Sequence, residues 1–342
     1  MSRSLTRTAL TFVLGCALCT SWALPASAAK LLVSNAFNSS VDLYDTDGTL
    51  LQANFVAPFS GGLALASNIV VGPTGNIYVS SNLTGQVIVY NSSGQPQSAV
   101  NLPSGSAPSG LAFDTSGKLY VGDQASNAVF VFAPSLAPIP SETILIPGQQ
   151  IGGIDFDSAG RLFITSFGTS EVYVHDSGVV NLFAAANLGG LLFPAGIEVD
   201  QNGNVYVANI FGNSISKFDS SGAPVDGLDG SGFPFITIPL ADYPIPNGIS
   251  FPGNAPSDII FDTNGDLLIA LLGPTNSTET PHPLGGLLRY STSGQLLDEL
   301  QYPVASASSL ALLTEAVPEP ATYALGLASM MVFGFWRWKA RR

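Results

Sequence analysis

From residue 66 onward the chain alternates short apolar runs with polar turns, and the alternation repeats. The units read ASNIVVGPTGNIYVSSNLTGQVIVYNSSG from 66, PSGLAFDTSGKLYVGDQASNAVFVFAPS from 108, IGGIDFDSAGRLFITSFGTSEVYVHDSG from 151, PAGIEVDQNGNVYVANIFGNSISKFDSSG from 194, and PSDIIFDTNGDLLIALLG from 256, resuming at LLRYSTSG. Gly72, Asp114, Asp157 and Asp200 hold one slot of this pattern, at steps of 42, 43 and 43. The step to Asp262 is 62, so about 19 residues are inserted there, too few for another unit of roughly 40.

Each unit predicts four short strands: xGIxFD, xLYVxx, VxVYx and a looser fourth such as SETILIP. Asp-x-x-Gly stands between the first two, where Asp caps a turn through its side chain and Gly takes the left-handed position. Short strands at even spacing with a turn at every joint are the pattern of a β-propeller. The chain ends supply one more blade. ASSLALL at 307–313 reads as a lone first strand, and KLLVSN, VDLYD and LLQANF within 30–55 read as strands two to four. The expected fold is all-β, a six-bladed propeller of four-stranded blades closed by a C-terminal strand that joins the N-terminal three. Tyr78, Tyr120, Phe163 and Tyr206 recur once per blade on the second strand and are expected to pack blade against blade.

The P-x-G-I-x-x-D-x-x-G-x-x-Y-V units resemble those of NHL and SMP-30/gluconolactonase-like six-bladed propellers over about 30–313. The resemblance implies fold more than function, because such propellers include hydrolases, binding modules and scaffolds. In the gluconolactonase-like family, Glu, Asn and Asp at the x of P-x-G hold a metal in the central channel. Here those slots are Ser67, Ser109, Gly152, Ala195, Ser257 and Ser308, so the oxygen ligands of a divalent ion are missing from them. Asn247 in PNGISF resembles one family ligand motif but lies in the insertion. No metal and no cofactor is therefore expected. Calcium has one candidate, DTDG at 45–48, which lacks the third acid and the distal Glu and reads as a hairpin turn.

Other chemistries are equally thin. G-x-S-x-G, H-E-x-x-H and Walker motifs are absent, and the two histidines are His175 and His282. No catalytic residue is assigned, and the chain reads as a binding propeller before an enzyme.

Charge and ends then set the context. Of 11 Lys and Arg, two lie before residue 30 and four beyond 316; of 24 acids only Glu319 lies beyond 316. The 287 residues of 30–316 thus carry five cations against 23 acids, a net −18, which repels nucleic acid and anionic lipid. Residues 1–29 read as a signal peptide: Arg3 and Arg7, an apolar run from Ala9 to Leu18, and cleavage after Ala28 or Ala29. Cys16 and Cys19 both fall inside it, so the mature body of 30–316 has no disulfide. VLGC at Cys16 also allows a lipoprotein reading.

Residues 317–342 hold VPEPAT, 16 largely apolar residues from Ala321 to Trp336, and a basic end of Arg337, Lys339, Arg341 and Arg342. Such a run sits at the short edge of a transmembrane helix. With Pro318, Glu319 and Pro320 it resembles a PEP-CTERM sorting tail. That resemblance implies an exosortase-type processing enzyme as partner, a transient stay in the inner membrane of a Gram-negative bacterium, and release to the cell surface or extracellular matrix. The other reading of the tail is a plain anchor.

Two long excursions, about 222–255 and 271–286, are expected to leave the same face side by side. Asp242, Tyr243, Asn247, Glu279 and His282 on them are the candidate ligand-binding residues. The expected function is an exported envelope or matrix propeller acting as a binding or structural component, with exopolysaccharide or another glycan as partner and no nucleic acid. The alternative is an extracellular hydrolase or lyase, lactonase-like or polysaccharide-acting, that uses the same face.

Overall fold

A computed structural model describes residues 29–228, 230, 232–238, 255–272, 286–300 and 307–313. Ala28 with the rest of the signal segment, the tail with Pro318, Glu319 and Pro320, and Asp242, Tyr243, Asn247, Glu279 and His282 lie outside these residues.

The described chain forms 24 strands in six sheets of four. Blade 1 joins the two ends, with β1 (Lys30–Asn35), β2 (Ser40–Asp45) and β3 (Leu50–Val56) extended inward by β24 (Ala307–Leu313). Blade 2 is β4 (Ala66–Val71), β5 (Ile77–Ser81), β6 (Gln86–Tyr90) and β7 (Pro96–Asn101). Blade 3 is β8 (Pro108–Phe113), β9 (Leu119–Asp123), β10 (Ala128–Phe132) and β11 (Ile144–Leu145). Blade 4 is β12 (Ile151–Phe156), β13 (Leu162–Ser166), β14 (Glu171–Asp176) and β15 (Val179–Ala184). Blade 5 is β16 (Pro194–Val199), β17 (Val205–Asn209), β18 (Ser214–Phe218) and β19 (Ile236–Thr237). Blade 6 is β20 (Ala255–Phe261), β21 (Leu267–Leu272), β22 (Gly286–Tyr290) and β23 (Leu296–Leu300). The inner strands β4, β8, β12, β16, β20 and β24 pack side by side around a central channel.

Burial follows position in the blade. A second strand is covered on both faces by neighbouring blades, so β5 (IYVSS) and β13 (LFITS) are buried at every residue. An outermost strand faces water, and in β7 and β23 only Val100 and Leu300 are buried. This is why the second strands open on a run of three apolar residues while the fourth are hard to recognise.

The Asp-x-x-Gly joints are closed turns. Asp114 Oδ1 accepts the N–H groups of Ser116 at 2.9 Å and Lys118 at 2.8 Å, and Gly117 sits at φ +82°. Asp157, Asp200 and Asp262 repeat the arrangement. Blade 2 has Gly72 in this slot for a packing reason, since a Cβ there would come 2.7 Å from the Tyr78 ring. The DTDG stretch is likewise a turn, with Asp45 and Asp47 accepting the N–H groups of Thr46 and Thr49.

Edge-on aromatic pairs join successive blades. Tyr78 meets Phe113, Tyr120 meets Phe156 and Tyr206 meets Phe261, at centroid distances of 5.0, 4.9 and 5.4 Å. Each pairs a second-strand ring with the end of the next blade's inner strand. Blade 4 differs because the next inner strand ends in Val199, and Phe163 turns instead to Phe183 of its own blade at 4.9 Å.

The ring closes between β1 and β24, which pair antiparallel from Lys30 opposite Leu313 to Asn35 opposite Ala307. Among the described residues no helix is long and apolar enough to cross a membrane.

Candidate functional site

One local device is repeated around the top face, where the inner strands begin. In blades 2 to 5 the last residue of the second strand clamps the connection entering its own blade. Ser81 Oγ accepts the N–H of Ala64, Ser166 Oγ that of Gln149, Asn209 Oδ1 that of Leu192, and Asp123 Oδ1 that of Ala107. The next residue then donates its own N–H to the residue before the inner strand: Asn82 to Leu65, Gln124 to Ala107, Phe167 to Gln150, and Ile210 to Phe193, at 2.9–3.2 Å. Leu65, Gln150 and Phe193 are held there at φ of 57, 57 and 50°, a left-handed conformation costly for residues with a Cβ. The clamps thus fix a rosette of side-chain pairs at the channel mouth.

The rosette surrounds a funnel of about 450 Å³. Its wall is two-sided. Asn68, Asn82, Gln124 and Gln150 form a carboxamide arc across blades 2 to 4, and Phe167, Ile210, Leu272 and Phe37 form an apolar arc across blades 4, 5, 6 and 1. Phe167 is backed by Phe193 at 5.2 Å and Phe211 at 5.8 Å. Asn82 Nδ2 donates to Gln124 Oε1 at 3.2 Å, which links the two amides across blades 2 and 3.

All six x positions of P-x-G lie in the funnel wall. Their hydroxyls join the blades. Ser67 donates to the carbonyl of Pro108, Ser109 to Ile151, Ser257 to Ala307 and Ser308 to Ala66, at 2.7–2.9 Å. Where Gly152 has no hydroxyl, Thr165 Oγ1 reaches the Ala195 carbonyl at 2.7 Å instead. A closed ring leaves the inner edge of each blade unpaired, and these side chains satisfy its polar groups.

Deeper in the channel lie three carboxylates on three consecutive inner strands. Asp258 Oδ2 accepts Ser309 Oγ at 2.5 Å and the N–H of Leu310 at 3.0 Å. Asp155 Oδ2 accepts the N–H of Val199 at 2.8 Å, and Glu198 is held by the N–H of Phe261. All three line the lower mouth of the channel. Burial pushes Asp155 up to about 7, reinforced by the charges of Asp258 and Asp157. Burial likewise raises Asp258 to about 6, against the donors Ser309, Leu310 and Ile259. Glu198 is raised well above the carboxylate range by burial and then by the charges of Asp155 and Asp258. β8, β13, β21 and β24 bring no titratable side chain to this wall, and Tyr206 of β17 is the cross-strand neighbour of Glu198. The cations of this neighbourhood are engaged elsewhere: Arg161 with Asp157, Arg289 with Asp262, and Lys217 over the Tyr206 and Phe235 rings.

A glycine makes room for this arrangement. A Cβ on Gly196 would lie 2.6 Å from both Asp258 Cα and Asp258 Oδ1. Gly196→Ala is expected to lower stability by about 2–3 kcal/mol through forced separation of β16 and β20. Chemical unfolding reads it directly, and an unchanged midpoint would refute so close an approach of the two strands.

Among the described residues no three His, Cys, Asp or Glu side chains are placed to hold a metal ion. His175 pairs across its sheet with Leu162 and Val180, outside the funnel wall, and burial lowers its proton affinity. Leu272, where the 271–286 excursion leaves β21, lines the funnel, and Ala255, where the 222–255 excursion ends, opens β20 two residues before the funnel-wall Ser257; Asp242, Tyr243, Asn247, Glu279 and His282 lie outside the described residues.

Sequence reasoning missed the carboxamide and aromatic arcs, because their residues follow the second strand and differ in type from blade to blade. It also missed the channel carboxylates, although the aligned repeats mark Asp155 and Glu198 as acids in a slot holding Val70, Ala112, Ile260 and Ala311 elsewhere.

No protein-family model and no curated protein matches the sequence. Solved structures do. A protein of unknown function from Bacteroides caccae shares 14% identity with a TM-score of 0.63, over 84% of this chain and 100% of its own. Virginiamycin B lyase from Staphylococcus aureus shares 16% with a TM-score of 0.55, over 83% of each chain. A streptogramin B lyase shares 14% with a TM-score of 0.53, over 79% of this chain and 93% of its own. At such identities the likeness is one of fold: this chain is a six-bladed β-propeller of the architecture also used by virginiamycin B lyase.

Proposed function

We propose that the mature protein is an exported binding or structural component of the cell envelope or extracellular matrix, holding a partner in its top-face funnel without transforming it. The wall of that funnel carries this reading. It combines carboxamides and aromatic rings, its serine hydroxyls are spent on neighbouring carbonyls, and the one carboxylate it has among the described residues, Asp258, is bonded to Ser309 and Leu310. General acid–base or nucleophilic catalysis needs a base within reach of a nucleophile, and the described wall offers no such pair. Targeting rests on the sequence alone: the signal ending at Ala28 or Ala29 and the VPEPAT tail as the substrate of an exosortase-type enzyme at the inner membrane.

Two measurements test this reading. Intact mass of the protein from membrane and medium fractions of its native host is expected to show a body starting near Lys30 and lacking the tail; an unmodified chain ending at Arg342 makes the tail a plain anchor. The mature protein is also expected to sediment with matrix from that host. Ile210→Trp, which fills the mouth, is expected to release it. Equal retention of Ile210→Trp would place the contact outside the funnel.

A second reading, a lyase or hydrolase at the same face, is favoured by the fold shared with virginiamycin B lyase and the streptogramin B lyase. Its acid–base groups would then come from the excursions. Chemical conversion of matrix material that His282→Ala or Asp242→Asn abolishes would establish it in place of passive binding.

A further inference from the structure

Resting on the funnel as a binding site, we infer that its ligand is a neutral pyranose chain, read on two sides at once. A pyranose ring has an apolar C–H face and an equatorial edge of hydroxyls that both donate and accept hydrogen bonds. The funnel divides along the same line. Phe167, backed by the tilted rings of Phe193 and Phe211 at 52° and 59°, offers a flat apolar surface, and its backing rings themselves meet at 5.1 Å and 88°. Along the adjoining arc of the wall stand Gln150, whose carbonyl accepts the Phe167 N–H, then Gln124 and Asn82, carboxamides that pair a donor and an acceptor on one planar group, as neighbouring hydroxyls require.

The polar arc is held in place by the protein and left open toward the ligand. Asn82 Nδ2 is spent on Gln124 Oε1 and the Pro108 carbonyl, which orients both amides. The Gln124 Nε2 group and the polar end of Gln150 take no side-chain bond among the described residues, and Gln150 is exposed at the rim. Gln150 is presented by its left-handed backbone at φ 57°, fixed through Asn127, whose Oδ1 accepts its N–H at 2.8 Å. Strain of this kind is retained where the surrounding structure holds a side chain for a task.

Charge narrows the ligand further. The described funnel wall contains no Lys, Arg or His, and the body around it is net −18, so uronate or phosphate groups would meet no partner and a repelling field. A wholly apolar ligand would leave the carboxamide arc desolvated and unpaired, at a cost it could not recover. The volume of about 450 Å³ is that of a small-ligand pocket, open at the top to a chain passing across it.

The test is calorimetric titration of the mature protein with neutral gluco-, galacto- and manno-oligosaccharides of four to six units, with uronate oligomers of the same length as charged controls. At least one neutral series is expected to bind and the uronates to bind more weakly. Phe167→Ala is expected to weaken binding roughly tenfold through lost apolar contact, while Phe167→Tyr, which keeps the ring, retains it. Gln124→Leu is expected to weaken binding by a similar factor, with thermal unfolding of each variant confirming the fold. Absence of binding by every neutral series at millimolar concentration, a preference for uronates, or indifference to Phe167→Ala in a folded protein each overturns the inference. Matrix retention that Ile210→Trp abolishes while neutral sugars fail to bind would leave the funnel as the site and remove the sugar as its ligand.

Discussion

Raising the pH from about 4 to about 8 is expected to destabilise the fold by several kcal/mol, since each tenfold change in proton affinity is worth about 1.4 kcal/mol and the three channel carboxyls are raised together. Asp155 and Asp258 are raised to about 7 and about 6 in the folded protein from an ordinary value of 3.8, and Glu198 is raised with them. Where a folded carboxyl is raised, the folded state keeps a proton that the unfolded chain has lost, so its contribution is present in full below the ordinary range. That contribution disappears as pH climbs through the folded value. Three negative charges then share one channel wall with no cation beside them. Asp47 and Asp219 lie on the surface and are held below their ordinary value by nearby N–H and hydroxyl donors, so they act in the opposite sense and only at more acidic pH. Urea unfolding across this pH range measures the slope. The triple substitution Asp155→Asn, Glu198→Gln and Asp258→Asn keeps an acceptor for each N–H and is expected to flatten it; an equal slope in both proteins would assign the pH dependence to other groups.

A chain stopped after residue 306 is expected to lose cooperative unfolding, whereas one stopped after 316 keeps it. The removed strand β24 buries Leu310 and Leu313, at 2% and 5% exposure, and supplies the Leu310 N–H and Ser309 hydroxyl to Asp258. Burial of two leucines is worth about 3–6 kcal/mol, and each orphaned buried polar group costs about 1–3 kcal/mol more. Against a typical domain stability of about 5–15 kcal/mol, these losses together consume most of what holds the ring. The deletion also exposes the edge of β1, which invites pairing between chains. Calorimetry of the two truncations decides it. A normal sharp transition without residues 307–313 would mean that blade 1 stands on three strands and that the closure is ornamental.

Much of the architecture was open to reading because repetition is a sequence property. A turn that needs Asp at one end and a left-handed Gly three residues on leaves the same letters at Asp114, Asp157, Asp200 and Asp262. Second strands buried on both faces are apolar over their first three positions in blades 2 to 6, and blade packing puts an aromatic ring at the same place in four of them. The unmatched strands at the two ends then implied their pairing, since a propeller blade lacking its inner strand would open the ring.

The site was less legible. Its residues sit on the one part of each unit that does not repeat, the step after the second strand, where Asn82, Gln124, Phe167 and Ile210 share a backbone bond but no chemistry. Attention went to the long excursions, whose candidate residues lie outside the described residues, while the funnel wall is built from short loops and inner-strand residues. The serine slots were read for the metal ligands they lack; their hydroxyls turned out to join one blade to the next.

The sequence by itself determined strand count, blade order, turn chemistry and the acidity of the body, because each depends on neighbours within a few residues or on composition. Only the tertiary structure decided which side chains share the channel. Asn68, Ser309 and Asp258 are separated by as many as 241 residues yet form one hydrogen-bonded chain across three blades. Ring closure sets that proximity, and a local pattern holds no record of the distance between blades.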